Sequence, residues 1–204
     1  MPVGTKLANR GGRPRKFDAS DALGKMQRQL WTRGLSDVSV DGIARAAGLN
    51  RPSLAAAFGG KDAIYAQAAG QYVAMMDARF RHALADDDLE TALKAAFAAA
   101  IETYTADGPD GCFVICTAPA EALTNSVCRD VLDQAIQGID ATFLRRLEAE
   151  KRKTQADLPT LAAQLGAALH SLALRARAGW PRDRLQSLAA AAVGLVLTAL
   201  RSSG

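Results

Sequence analysis

Beyond Phe17 apolar residues recur every three to four positions along nearly the whole chain, and the two-residue alternation of strands is almost absent. That pattern predicts an all-α protein. In a first helix Leu23, Met26, Leu30 and Trp31 fall on one side, with Asp18 or Ser20 as cap and Gly34 as stop. Ser39 caps a short second helix that turns Ile43, Ala44 and Ala47 inward and closes at Gly48. Asn50 caps a third, with Pro52 in its first turn, Leu54 and Phe58 inside, and Gly59-Gly60 after it.

Longer helices follow. The spacing predicts one from about Lys61 to Leu84, then one carrying Leu89, Leu93, Phe97, Ile101 and Tyr104, with Asp88 as cap. A Gly/Pro/Asp break over 107–111 precedes a short apolar segment from Cys112 to Ala122. Ser126 is the expected cap of the next long helix, which ends in the basic run 151–153, a complement to the helix dipole. Gly179-Trp180-Pro181 separates two final helices, one starting near Pro159. Leu165, Leu169 and Leu172 repeat on the first, and Leu188, Leu195 and Val196 on the second. The last helix is apolar nearly all round and needs cover on two sides. These six residues are the expected interface with a second copy of the chain.

The 204 residues carry a net charge of +4, unevenly distributed: residues 1–62 hold +6 and the remainder −2. A basic first third on a near-neutral body points to a polyanion at one end and another task at the other. The aperiodic stretch 1–16 reads as a basic arm, flexible by its Gly and Pro content. This gives three parts: the arm (1–16), a basic head (17–62), which the motif described below makes the expected DNA-binding domain, and a body (63–204), which the resemblance given below makes the expected ligand-binding and dimerisation domain. Apolar residues are 49% of the chain, but the longest nearly unbroken run, Leu188 to Leu200, falls short of the ~20 that a membrane span needs. No signal-peptide core is visible, and three cysteines do not make a disulfide framework; a cytoplasmic protein without a membrane partner is expected.

Two short helices around Ala46-Ala47-Gly48-Leu49-Asn50 make a helix-turn-helix. Gly48 supplies the left-handed turn and Leu49 anchors it. The third helix then leads into the major groove with its N-terminal residues. Arg51 offers donors suited to guanine, and Ser53 can bond a base edge or a phosphate. Asn50 and Pro52 set the helix start, Ala55, Ala56 and Ala57 offer apolar contacts to thymine methyls, and Ser39 and Lys61 face phosphates. Arg13, Arg15 and Lys16 on the arm reach an adjacent minor groove or the backbone.

The stretch Ser39-Val40-Asp41-Gly42-Ile43-Ala44-Arg45-Ala46-Ala47-Gly48-Leu49, followed by Leu54, Phe58 and Lys61-Asp62, resembles the DNA-binding region of the tetracycline-repressor (TetR/AcrR) family. The resemblance implies a homodimer on a palindromic operator, a ligand pocket in the C-terminal part, and a four-helix bundle between subunits made by the last two helices. It departs from the family at Ala55, where a tyrosine is usual. Within the family, some members with a similar Gly-Cys placement respond to electrophiles or oxidants, which makes Cys112 a candidate redox sensor. The neighbouring Asp107 and Asp110 oppose a thiolate there, and a small buried hydrophobe is the plainer role.

An effector pocket for a small, largely apolar molecule is expected among Tyr72, Met76, Phe97, Ile101, Tyr104, Phe113, Phe143 and His170, with Met75 beside them. Enzyme chemistry lacks support: only two histidines are present, and there is no phosphate-cradling loop or HExxH pair. No cofactor and no metal are expected, since CxxxC without a nearby third ligand is a weak metal signal. The remaining competitor is a helical partner-binding module that does not touch DNA.

Overall fold

The computed structural model describes residues 18–106, 108–150 and 155–202, and these residues form helices with no strand among them. Local chemistry sets the first three: α1 (Ala19–Arg33), α2 (Val40–Ala46) and α3 (Arg51–Phe58). Asp18, rather than Ser20, caps α1, accepting from the N–H groups of Ser20 at 2.8 Å and Asp21 at 3.3 Å. Ser39 and Asn50 cap α2 and α3 by accepting from Gly42 and Ser53. Each such cap is worth about 1 kcal/mol. Gly48 turns between α2 and α3 at φ +67°, a conformation that costs a side-chain-bearing residue energy. Met26, Leu30, Leu35, Val38, Ile43, Leu54 and Phe58 are buried between these helices.

The body consists of α4 (Lys61–Ala83), α5 (Leu89–Tyr104), α6 (Phe113–Thr117), α7 (Ser126–Glu148), α8 (Leu158–Arg177) and α9 (Arg182–Ser202). Asp88 caps α5 as expected. The cap of α7 is Asn125, which accepts from the Cys128 N–H at 3.2 Å. Ser126 is already the first helical residue. Of the apolar segment 112–122, only Phe113–Thr117 is helical, and turns carry the chain on to Asn125.

Head and body meet through α1, α4 and α6. Trp31 packs edge-on to Tyr72 with centroids 5.2 Å apart, and Phe113 lies within 6.0 Å of Trp31, Tyr65 and Tyr72. Thr117 donates to the Phe113 carbonyl, so the buried Tyr65 hydroxyl is the donor in its 2.9 Å bond to Thr117. A second aromatic group, Phe80, Phe97 and Phe143, ties α4, α5 and α7 together. At the α8–α9 turn Trp180 is held between the guanidiniums of Arg175 and Arg184.

By length and composition α9 could cross a membrane. Its placement gives that composition another account. Leu185, Ala189, Val193, Val196 and Leu200 are buried against the rest of the chain, while Leu188 (37% exposed) and Leu195 (72%) form an apolar stripe on the outside. Leu165, Leu169, Leu172 and Val196, expected at the interface between copies, are instead interior to the single chain, because they lie on the faces that α8 and α9 turn toward the core. Only Leu188 and Leu195 of those six are available to a partner; on α8 Leu174 is exposed as well.

Candidate nucleic-acid interface and cavity

The outer surface of the head is built by the short α3. Its start exposes Arg51, Pro52 and Ser53, and one turn on it exposes Ala55 and Ala56. Ala57 faces the other way and packs, half-buried, on the core; its expected contact with a base does not fit that position. The Asn50 side-chain oxygen is engaged as the α3 cap. Arg51 is not free either: its Nε lies 3.2 Å from Asp41 of α2, an exposed pair that solvent screens. Such a pair tethers the guanidinium across the helix-turn-helix while leaving its remaining N–H groups open. The Lys61 amine donates to the Ser36 carbonyl at 3.3 Å and stays near the exposed Ser39 side of the head. Arg13, Arg15 and Lys16 lie outside the described residues.

Between α4 and α7 the body holds a cavity of about 290 Å³ that is partly open to solvent. Tyr72, Met76, Tyr104 and His170 line it as the sequence suggests, together with Phe80, Val114, Ile115 and Leu169. Phe97, Ile101, Phe113 and Phe143 do not. All four are fully buried among other side chains, Phe97, Phe113 and Phe143 within the two aromatic groups. Met75, 37% exposed, instead lines a second cavity between α1, α4 and α5. Tyr72 borders both.

The polar lining of the first cavity was not legible in the sequence. Asp77, Arg81, Gln134, Thr142 and Arg145 contribute to it. The Tyr72 hydroxyl is buried beside the Cys112 thiol and makes no hydrogen bond of ordinary geometry among the described residues. His170 is half-buried beside Asp140; burial holds its imidazole below the usual pKa, and Asp140 opposes that shift. Asp140 is itself raised by burial and sits where a side chain at Gly166 would strike it, 2.1 Å from an added Cβ.

Cys112 also lines the cavity and is buried, and desolvation raises its thiol pKa. Cys116 and Cys128 are raised for the same reason, the latter to about 11. Arg177 beside Cys116 offsets that rise only in part, and burial prevails at all three thiols. Among the described residues, no three His, Cys, Asp or Glu side chains come together as a metal site.

Residues 27–68 match the family described as bacterial regulatory proteins, tetR family. The chain is 32% identical over 107 residues to the HTH-type transcriptional repressor ComR of Escherichia coli (strain K12), a match covering 51% of each chain. It thus spans about half the length of that curated relative. The TetR family transcriptional regulator CifR, solved as a cysteine mutant complexed with 26bp double-strand operator DNA, superimposes with a TM-score of 0.77 at 26% identity, covering 93% of this chain and 99% of CifR. SCO4454 of Streptomyces coelicolor, a TetR-family transcriptional regulator, has the same fold, with a TM-score of 0.77 at 18% identity over 89% of this chain and 94% of its own. Residues 27–68 thus carry a helix-turn-helix that matches the tetR family, set on a helical body similar in architecture to that of CifR.

Proposed function

We propose that this chain is a DNA-binding transcriptional regulator that acts as a homodimer in the cytoplasm, a repressor released from a two-fold operator when a small, largely apolar molecule enters the cavity. The observation that carries the reading is the Asn50-capped α3, held by the Gly48 turn with Arg51, Ser53, Ala55 and Ala56 outward. A helix presented in this way enters a major groove by its N-terminal end, and two copies about 34–36 Å apart meet successive grooves. CifR, in its solved complex, sits on 26bp operator DNA. The stripe of Leu188 and Leu195 with Leu174 supports self-association, because it is the large apolar surface of the last two helices that the chain leaves uncovered.

The cavity touches the head indirectly. Val114 and Ile115 of α6 line it, and the turns after α6 carry Glu121, which bonds Ser36 in the α1–α2 loop. An occupant that repositions α6 therefore changes the seating of the head. Such an effector must bind the two arrangements with different affinity. Sensing by Cys112 has no comparable support, since its thiol is buried and held protonated.

Footprinting the purified protein on the DNA flanking its own gene is the test. A protected, two-fold symmetric site supports the reading. No protection at physiological salt would leave the helical partner module as the better account.

A further inference from the structure

We infer that the cavity between α4 and α7 takes an organic anion, with an apolar body inside and its acidic group between Arg81 and Arg145. This rests on the reading of that cavity as the effector chamber. Its volume of about 290 Å³ is roughly twice the ~150 Å³ that accommodates benzene, which leaves room for a ring and a short chain. Met76, Phe80, Val114, Ile115 and Leu169 supply apolar walls for that body.

The register of the two helices brings the arginines together. Asn125, the cap of α7, bonds Asp62 in the first turn of α4. Farther along, residues 66–73 of α4 and 127–135 of α7 share one shallow pocket, and residues 72–81 and 134–145 share the cavity. The helices therefore run side by side in one direction, with Arg81 and Arg145 at the same end.

The chemistry of adjacent residues separates structure from recognition. Arg146 is engaged: it pairs with Glu150 at 2.5 Å and donates to the carbonyls of Asp86 and Asp87. Arg145, next to it, faces the cavity and, among the described residues, donates only to the Thr142 hydroxyl. Neither Arg145 nor Arg81 has a carboxylate partner among the described residues. Asp77 is the one carboxylate in the lining, against two guanidiniums, so that end of the cavity carries a net positive charge. Gln134 is neutral, and Asp140, beside His170, is not part of the lining. Two planar forks suit a carboxylate. The Tyr72 hydroxyl, which has only the weak Cys112 thiol beside it, offers a further bond to a polar atom of the guest. Both arginines also lie in last helical turns, where cations complement the dipole; that role alone would not discriminate between ligands.

The full-length protein should be titrated calorimetrically with 4-phenylbutyrate, its amide 4-phenylbutyramide and the cation 4-phenylbutylamine. The acid is expected to bind about tenfold or more tighter than the amide, with the amine weakest. Arg145→Gln and Arg81→Gln should bring the acid toward the amide while leaving amide binding in place, and Met76→Trp, which fills the chamber, should abolish binding of all three. Equal affinity for acid and amide, or an acid preference that survives both Gln variants, overturns the anion assignment and leaves the chamber standing. Failure of all three to bind, or binding unaffected by Met76→Trp, removes the chamber and the assignment together.

Discussion

The Glu121 carboxylate accepts hydrogen bonds from both the backbone N–H of Ser36, at 3.2 Å, and its hydroxyl, joining groups 85 residues apart in sequence. Ser36 is also gripped from α4, where Lys61 donates to its carbonyl. The α1–α2 loop is thus held from α4 and from the turn that follows α6. Glu121→Ala should lower stability by about 0.5–1.5 kcal/mol, as expected for exposed hydrogen bonds. Its larger effect falls on coupling: the effector-induced loss of DNA affinity should shrink while effector-free affinity changes little. Fluorescence anisotropy on operator DNA, with and without effector, measures both. A full response in the variant would remove this link from the route.

Arg51→Ala should weaken specific binding by about 1–3 kcal/mol and blur one base position. Because Asp41 tethers Arg51, Asp41→Ala should alter the same base preference more weakly. Competition assays over single-base operator variants would reveal both effects. A uniform loss on every sequence would mean that Arg51 touches only phosphate.

Gly111 has φ +87°, and a Cβ there would lie 2.6 Å from the Ala173 carbonyl oxygen and 2.6 Å from the Cys116 sulfur. Gly111→Ala should therefore cost about 2–3 kcal/mol, a fall in Tm of roughly 5–10 °C. Gly70, in α4, has nothing within 4 Å of an added Cβ. There alanine should be neutral or stabilise by about 0.5–1 kcal/mol. Thermal unfolding followed by circular dichroism tests the pair.

If the proposed dimer forms through this face, Leu195→Glu should leave a monomer without loss of helicity, because the side chain is 72% exposed in the single chain. Leu165→Glu, at a fully buried position, should unfold the protein instead. Sedimentation equilibrium beside far-ultraviolet circular dichroism separates the two outcomes.

Burial raises all three thiols above their ordinary value of 9.0, Cys128 to about 11. The folded chain holds these protons more tightly than the unfolded chain. The resulting stability is present below 9.0 and is lost as pH rises from there toward the folded values. Urea midpoints should drop as pH climbs past about 9, less steeply in Cys128→Ala. At neutral pH iodoacetamide should label Cys112 far more slowly than in urea, and Cys112→Ser should keep its effector response.

The head was readable because its signals are local. Ser39, Asn50, Gly48 and Gly34 act within four residues of their own positions, through caps and a left-handed turn. At the start of α7 even such local signals differ by one place, Asn125 for Ser126, since either type can cap and only the backbone path decides. Periodicity marks which face of a helix is inward, but it does not say what lies opposite. Phe97 and Phe143 stack on one another, while Met76 and Tyr104, of equal periodicity, face a cavity. The same blindness applies to Leu165 and Leu195, one interior and one outside. Arg81, Arg145 and the Ser36–Glu121 bond depend on helices meeting across long stretches of chain, and no short-range pattern encodes them.

Tyr72 stands as a partition between two chambers, one beside α1 and one between α4 and α7. Its ring also presses edge-on against Trp31. In the proposed reading, a guest on either side that turned this ring would press on the indole as well, giving occupancy a route to α1 through one aromatic contact even where the helices around it stayed still.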